Sequence, residues 1–182
     1  MMSQARSDAG DGATPAADPR GRMHRVKRQM ADEDARAFLR SRMVAHVGTV
    51  DGQGWPYVVP LIYIYQGGDR LYLHTGDHEG HFRQNVRANP RVCVEVEDMG
   101  PVHPGQPFAC NSALVYTSVI AFGPLRVLDD RTQKAWFFDR VLEKYGQPEW
   151  TFSPGYPQLD HIVLYEQQLE LVTGKRSEGL RH

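Results

Sequence analysis

The sequence is poor in cysteine, in long hydrophobic runs and in excess charge of either sign. Its 182 residues include only Cys93 and Cys110, which form no CxxC pair and predict a reduced, cytoplasmic chain without a disulfide framework. No apolar run approaches the roughly 20 residues that cross a bilayer. Because 21 Lys and Arg residues stand against 22 Asp and Glu residues, a long electrostatic footprint on nucleic acid is not expected. We therefore expect neither a membrane nor a nucleic-acid partner.

Several well-known site motifs are also missing. The sequence contains no GxGxxG, GxxxxGK[ST], HExxH or GxSxG motif. No motif therefore predicts a dinucleotide, P-loop, zinc-protease or serine-hydrolase site. His74, His78 and His81 have spacings that would form a metal triad on one continuous helix. Because Gly76 and Gly80 interrupt the segment, we predict a strand end followed by a loop, and no metal site.

Composition divides the chain into one domain with two short ends. Residues 1–22 are rich in Ala, Gly, Asp and Pro, which predicts a disordered extension. Residues 23–176 form the predicted domain, and residues 177–182 a flexible C-terminal tail. The basic run HRVKR at 24–28 is interpreted as a solvated lead-in rather than a phosphate-binding patch.

The hydrophobic pattern predicts more strands than helices. An amphipathic helix begins with Asp32 as its N-cap, a two-turn helix covers 81–88, and a third helix follows Thr132 and ends at Gly146. The predicted strands are 44–50, 56–65, 70–75, 91–97, 113–128 with an interruption at Gly123-Pro124, and 161–172. Residues 98–112 and 147–158 are predicted to be irregular connections. This pattern predicts a mainly β (α+β) fold, an antiparallel barrel with flanking helices.

Four sequence blocks, in a fixed order, resemble one known family. They are Trp55–Pro60, Leu71–Thr75, Asn85–Val92 and Tyr116–Gly123. Together they resemble the pyridoxamine 5'-phosphate oxidase-like, FMN-binding split barrels, and within that superfamily the nitroimidazole-resistance (Nim) type. The resemblance extends over about residues 24–175, and its strength lies in the order of the blocks, since no single block is diagnostic.

The resemblance implies a six-stranded antiparallel split β-barrel that forms a homodimer, with FMN at the subunit interface. It places the strand matching 57–61 along the flavin ring, the segment after His74 near the ribityl phosphate, and His74 itself beside the substrate as the catalytic residue. The cofactor-binding residues that it implies are Tyr57, Val58, Val59, Pro60, Leu61, His74, Thr75, His81, Phe82, Arg83, Arg87, Tyr116 and Ser118.

One position departs from the family pattern. Many members carry a lysine two residues after the glycine that aligns with Gly80, where this chain has Phe82. A charge-assisted hydrogen bond contributes about 1.5–3 kcal/mol, so phosphate binding weakens unless Arg83, His81 or Ser118 compensates. Phe82 can alternatively stack on a larger planar ligand, and the cofactors F420 and haem therefore stay open beside FMN.

Two functions from different classes follow from the resemblance. The first is an FMN-dependent oxidoreductase that reduces a small organic acceptor such as a nitro compound, with His74 orienting or protonating that acceptor. The alternative is a non-catalytic binder or carrier of a flavin, F420 or haem. A third interpretation, a barrel that has lost its cofactor, draws its support from Phe82.

Overall fold

The computed structural model describes residues 18–152 and 155–179, and within them seven strands and three α-helices. The strands are β1 (Val44–Val50), β2 (Pro56–Ile64), β3 (Arg70–Gly76), β4 (Arg91–His103), β5 (Ala113–Leu128), β6 (Ile162–Gln168) and β7 (Leu171–Glu178). The helices are α1 (Asp32–Ser41), α2 (His81–Ala88) and α3 (Arg131–Tyr145). Among the described residues, no helix has the length and apolar character needed to cross a lipid bilayer.

Six of the strands form a ring of antiparallel neighbours. Around the ring the order is β1, β2, β3, β6, β5 and β4, and β4 pairs again with β1. β7 lies outside the ring and pairs with β5. The predicted split β-barrel with flanking helices is confirmed. The predicted final strand 161–172 is in fact two strands, because the chain turns at Leu169 and Glu170 and pairs with a different part of β5 on each side of that turn.

β5 changes its partner at Gly123 and Pro124, where the sequence predicted an interruption. Along one edge, Val115–Phe122 pair with β7, whereas Leu125–Leu128 pair with β6. A Cβ atom on Gly123 would lie 1.7 Å from the carbonyl oxygen of Gln168. Only glycine therefore allows β5 and the end of β6 to approach this closely.

The barrel interior and the layer beneath α3 form two apolar clusters. The interior is filled from all six ring strands, and α1 closes one side of it with Ala35 and Leu39. The smaller cluster lies between α3 and the outer face of the barrel and is centred on Phe137 and Leu164. The residues that alternate along β3 illustrate the two environments, since Leu71 and Leu73 belong to the first cluster and Tyr72 packs against the second.

The helix starts and one strand end differ from the sequence-based predictions. Asp32 is the first residue of α1 and Ala31 occupies the cap position, while Asp130 rather than Thr132 caps α3 by accepting a hydrogen bond from the N–H of Gln133. β4 continues to His103 and pairs with the start of β5. The predicted irregular connection is therefore shorter, because its first six residues complete a long hairpin.

Both predicted chain ends extend beyond the described residues. Residues 1–17 of the predicted extension and residues 180–182 of the predicted tail lie outside them, as do residues 153 and 154 of the loop at 147–158. Ser177 and Glu178, assigned to the tail from the sequence, belong to β7 because they pair with β5. At the other end, Arg20 forms ion pairs with Asp18 and Glu170.

Candidate functional site

Most of β2 has one edge without a strand partner. All residues from Pro56 to Ile62 pair with β1, but within the described residues the ladder to β3 consists of Tyr63↔Leu73 and Ile64↔Tyr72. This opening is the split in the barrel. Backbone N–H and C=O groups on an open strand edge are available to a ligand as well as to another strand.

The five predicted residues of β2 lie along this edge and alternate between the two faces. Val59 and Leu61 pack against the barrel interior. Val58, by contrast, is 58% exposed on the outer face. Tyr57 lies at the rim, where its ring meets that of His81 edge-on at a centroid distance of 4.7 Å. The structure thus brings the β2 segment and the start of α2 together, and their contact with a cofactor stays a prediction.

A buried hydrogen-bond chain fixes α2 against this rim. Asn85 Nδ2 donates to Thr49 Oγ1 at 3.0 Å, and Thr49 Oγ1 donates to the carbonyl oxygen of Tyr57 at 3.2 Å. Asn85 and Thr49 are both buried. The bonds satisfy polar groups that would otherwise be costly to bury, and they set the position of α2 relative to β1 and β2.

The cationic side chains of α2 are largely occupied by neighbouring groups. Arg87 forms an ion pair with Glu79 at 2.8 Å, and Arg83 lies 3.7 Å from the same carboxylate and donates to the carbonyl oxygen of Asp77. Phe82 is only 7% exposed and its ring meets Tyr165 edge-on in the barrel interior. The side chain of Phe82 is therefore not available to a ligand at the surface.

His74 lies on the opposite face of β3 from the barrel interior, beneath α3. Its ring contacts Phe137 and Phe138, at centroid distances of 5.2 and 5.5 Å. Its Nδ1 atom is buried and has no hydrogen-bond partner among the described residues. Burial lowers the pKa of His74 below its ordinary value, so the ring is neutral at pH 7. Thr75, the next predicted residue, donates from Oγ1 to the carbonyl oxygen of Gly76.

A groove of about 490 Å³ runs along the outer face of β5 and β7 and is called here the basic groove. Its lining residues are Arg20, Gly21, Arg22, Met23, His24, Tyr116, Ser118, Ile120, Thr173 and Lys175. Two of the predicted cofactor-binding residues, Tyr116 and Ser118, thus lie among basic side chains from both ends of the domain. The Lys175 ammonium lies 5.7 Å from the centre of the Tyr116 ring.

Positive charge in the basic groove acts directly on Tyr116. Burial alone would raise the pKa of the Tyr116 phenol, but hydrogen bonds and charge from Lys175 and Arg28 outweigh burial and lower the pKa below its ordinary value. Within residues 18–152 and 155–179, Arg22, Arg28 and Lys175 form no ion pair with a carboxylate. Lys175 of the lining and Arg28 beside it therefore bond to Tyr116 but have no competing carboxylate within those residues, so an anion can pair with them.

Backbone pairing between the N-terminal segment and β7 assembles the groove. Gln29 forms an isolated β-bridge with Lys175, and the N–H of Met30 donates to the carbonyl oxygen of Gly174 at 2.8 Å. Two basic stretches 150 residues apart in sequence are thus placed side by side. Four basic residues at this site were not predicted from the sequence: Arg22, His24, Arg28 and Lys175. The HRVKR run at 24–28 was an available signal for His24 and Arg28.

On its β4 side the basic groove is bordered by an acidic residue. Glu95 on β4 accepts a hydrogen bond from Ser118 Oγ at 2.9 Å, and its other oxygen lies 3.2 Å from His46 Nδ1.

In the described part of the chain, no three His, Cys, Asp or Glu side chains come close enough to hold a metal ion. His78, one member of the spaced histidine set, is exposed and lies 3.9 Å from Asp77.

A family model for pyridoxamine 5'-phosphate oxidase matches residues 31–176, which is most of the chain and includes both the β2 edge and β7. The chain belongs to the pyridoxamine 5'-phosphate oxidase family. This confirms the family resemblance found in the sequence. No protein of curated function matches the chain significantly.

Three solved structures illustrate the range of ligands found with this fold. A protein provisionally assigned to 5-nitroimidazole antibiotic resistance, from Bacteroides thetaiotaomicron, is 21% identical with a TM-score of 0.68, over 81% of this chain and 85% of that one. The flavocytochrome Anf3 from Azotobacter vinelandii is 19% identical with a TM-score of 0.77, over 91% and 78%. An FAD-binding protein from Mesorhizobium loti is 25% identical with a TM-score of 0.59, over 83% and 98%. The protein thus shares its fold with these three proteins, one described as a flavocytochrome and one as FAD-binding.

The residues present fit a flavin, with one change in how its anionic tail is held. The open edge of β2 supplies backbone donors and acceptors suited to the polar edge of a flavin ring. The phosphate needs cations, and α2 provides few because Glu79 engages both of its arginines. Lys175 of the basic groove and Arg28 beside it bond to Tyr116 but to no carboxylate among the described residues, which makes these two cations the candidates for holding a phosphate.

Proposed function

We propose that this protein is an FMN-dependent oxidoreductase that reduces a small organic acceptor, nitro compounds included. The observation that carries the proposal is the pairing of an open strand edge on β2 with a groove of unpaired cations on β5 and β7. The first suits a planar ring with polar edges and the second suits a phosphate. The chemistry supplied by a bound flavin is transfer of a hydride or of single electrons.

The proposal includes a homodimer with the cofactor at the subunit interface. β2 and β5 are separated by β1 and β4, a distance of about 14 Å at the usual strand spacing. We propose that a second copy contributes the basic groove beside this open edge. The outer face between them exposes Val44 (46%) and Val58 (58%), apolar side chains that a second copy would cover.

His74 is the proposed catalytic residue, and its surroundings define what it can do. Because burial lowers its pKa, the ring starts neutral and is suited to accept a proton or hold one by hydrogen bonding, rather than to release one from an imidazolium. Nδ1 lacks a hydrogen-bond partner in the described chain but is buried against Phe137 and Phe138, so contact with a substrate requires this layer beneath α3 to move. We also propose a cytoplasmic location, in keeping with two free cysteines.

Anaerobic stopped-flow spectroscopy tests the enzyme function. The protein reconstituted with FMN is mixed with NADH or NADPH and then with a nitroaromatic acceptor. We expect bleaching of the flavin band in the first step and its return in the second. A flavin that stays oxidised with both donors would contradict the enzyme and favour the carrier.

A haem carrier is the second candidate function, and one observation favours it. A neutral imidazole is the form that ligates haem iron, and His74 is held neutral with an unpartnered Nδ1 among aromatic rings. Titration with haemin tests this candidate. A sharp Soret band that shifts in His74→Phe would support it, and identical spectra for both proteins would exclude His74 as a ligand.

A further inference from the structure

A second groove, of about 370 Å³, lies where α1 and α3 meet the end of β2, away from the proposed cofactor site. We call it the lysine groove. Arg40 of α1 lines one side, and Arg140 and Lys144 of α3 line the other. The floor is formed by residues 64–66 at the end of β2. Three basic side chains therefore face one concave surface.

Lys144 is held as an unusual amine. Its Nζ atom donates to the carbonyl oxygen of Tyr63 at 3.1 Å and lies 3.8 Å above the centre of the Tyr63 ring. It forms no ion pair with a carboxylate within the described residues. The ring favours the charged form, but burial outweighs it and lowers the pKa of Lys144 to about 8. At pH 7 roughly a tenth of the amine is neutral, compared with less than about a thousandth for an ordinary lysine.

The two arginines give the lysine groove affinity for an anion. Arg140 forms an ion pair with Glu143 at 2.6 Å, but its Nε atom is buried without a hydrogen-bond partner. Arg40 has no carboxylate partner among the described residues. The lining thus has more positive than negative groups, and one buried donor lacks an acceptor. A carboxylate or phosphate group can pair with the exposed guanidinium of Arg40 and with the part of the Arg140 side chain that reaches solvent.

We propose that the lysine groove binds a small carbonyl compound bearing an anionic group and that its carbonyl carbon condenses with Lys144. The anionic group lies against Arg40 and Arg140. The neutral amine forms a C–N bond with the carbonyl carbon, the C–O bond breaks, and the oxygen leaves as water with the two amine protons. The product is an imine that water reverses, and the step needs no oxidant or reductant.

The lysine groove has features that separate this reaction from nonspecific lysine chemistry. A desolvated lysine is a recognised way to activate an amine as a nucleophile. The hydrogen bond to Tyr63 holds one N–H and so limits the directions that the nitrogen can adopt. The sequence contains three further lysines, Lys27, Lys134 and Lys175, which provide controls within the same molecule. The proposal does not depend on the flavin function.

Reductive trapping with glyoxylate tests the proposal on the wild-type chain. The protein is incubated at pH 7 with glyoxylate and cyanoborohydride, and carboxymethylated lysines are quantified by peptide mass spectrometry. We expect Lys144 to be labelled at least tenfold faster than Lys27 or Lys175. Equal labelling rates at all three positions would contradict the proposal that Lys144 is an activated amine.

A comparison of two aldehydes that match in size but differ in charge tests the anionic part of the ligand. Acetaldehyde has the same two-carbon frame without the carboxylate, and Arg40→Gln removes one exposed cation of the groove. We expect glyoxylate to label Lys144 faster than acetaldehyde does, and Arg40→Gln to reduce the glyoxylate rate severalfold while leaving the acetaldehyde rate unchanged. Equal labelling of Lys144 by both aldehydes would contradict the proposed anion site. An equal decrease of both labelling rates in Arg40→Gln would contradict it as well.

Discussion

Replacing Lys175 with methionine tests how the phosphate of a flavin is held. The side chain keeps its length and apolar stem but loses the ammonium that lies beside Tyr116. A hydrogen bond between charged groups contributes about 1.5–3 kcal/mol, which corresponds to a loss of affinity of roughly 10- to 150-fold. Because Lys175 is only half-buried, we expect the lower part of that range, about tenfold.

Quenching of FMN fluorescence on titration with protein measures this loss directly. Arg91→Met is the matched control, since it also removes one positive charge from the same sheet. Arg91 pairs with Pro124, six residues along β5 from Ser118, or about 20 Å, and salt at 0.1 M screens charge over about 10 Å. If Lys175→Met binds FMN like the wild type, or if both variants weaken binding equally, the basic groove does not hold the phosphate.

Three further substitutions test the fold and the buried histidine by urea denaturation. His74→Phe should remove a pH dependence of the free energy of unfolding. Because the pKa of His74 is lowered on folding, the folded state binds fewer protons than the unfolded state, and wild-type stability should fall as pH drops below about 6.5. The same slope of stability against pH in the variant would refute this. Gly123→Ala should lower the free energy of unfolding by more than about 3 kcal/mol, because its Cβ would lie 1.7 Å from the carbonyl oxygen of Gln168. A decrease below about 1 kcal/mol would contradict that close approach. Glu166→Gln should lower the free energy of unfolding by about 1.5–3 kcal/mol, since this 3% exposed carboxylate pairs with Arg70 at 2.6 Å and Arg126 at 2.7 Å. No decrease would mean that stability does not depend on these ion pairs.

Local pattern was sufficient to predict most of the fold. The alternation of valines at 92, 94 and 96 predicted a half-buried strand, and β4 indeed buries these three side chains. Gly123-Pro124 marked the position where β5 changes partner. The turn at Leu169 and Glu170 was missed because it contains neither glycine nor proline. Its bonds are long-range, since these two residues donate to Asp69 and Phe122.

The candidate site could be predicted only in part, because it depends on contacts between distant segments. Tyr57 and His81 were both predicted from the family resemblance; their rings meet at the rim, and their role in cofactor binding stays a prediction. The sequence does not reveal that Glu79 engages the arginines of α2, since an ion pair depends on side-chain directions. Nor does it reveal that Gln29 pairs with Lys175 and so builds the basic groove. Each basic stretch was visible alone, and only the fold places them together.

The absorbance spectrum of the purified protein, followed by mass spectrometry of any released cofactor, tests the central claim most directly. We predict flavin bands in the blue and bound FMN for the wild type, and a lower FMN content in Lys175→Met after free FMN is removed, in line with about tenfold weaker binding. A protein that stays colourless after incubation with excess FMN, F420 and haemin would contradict the account.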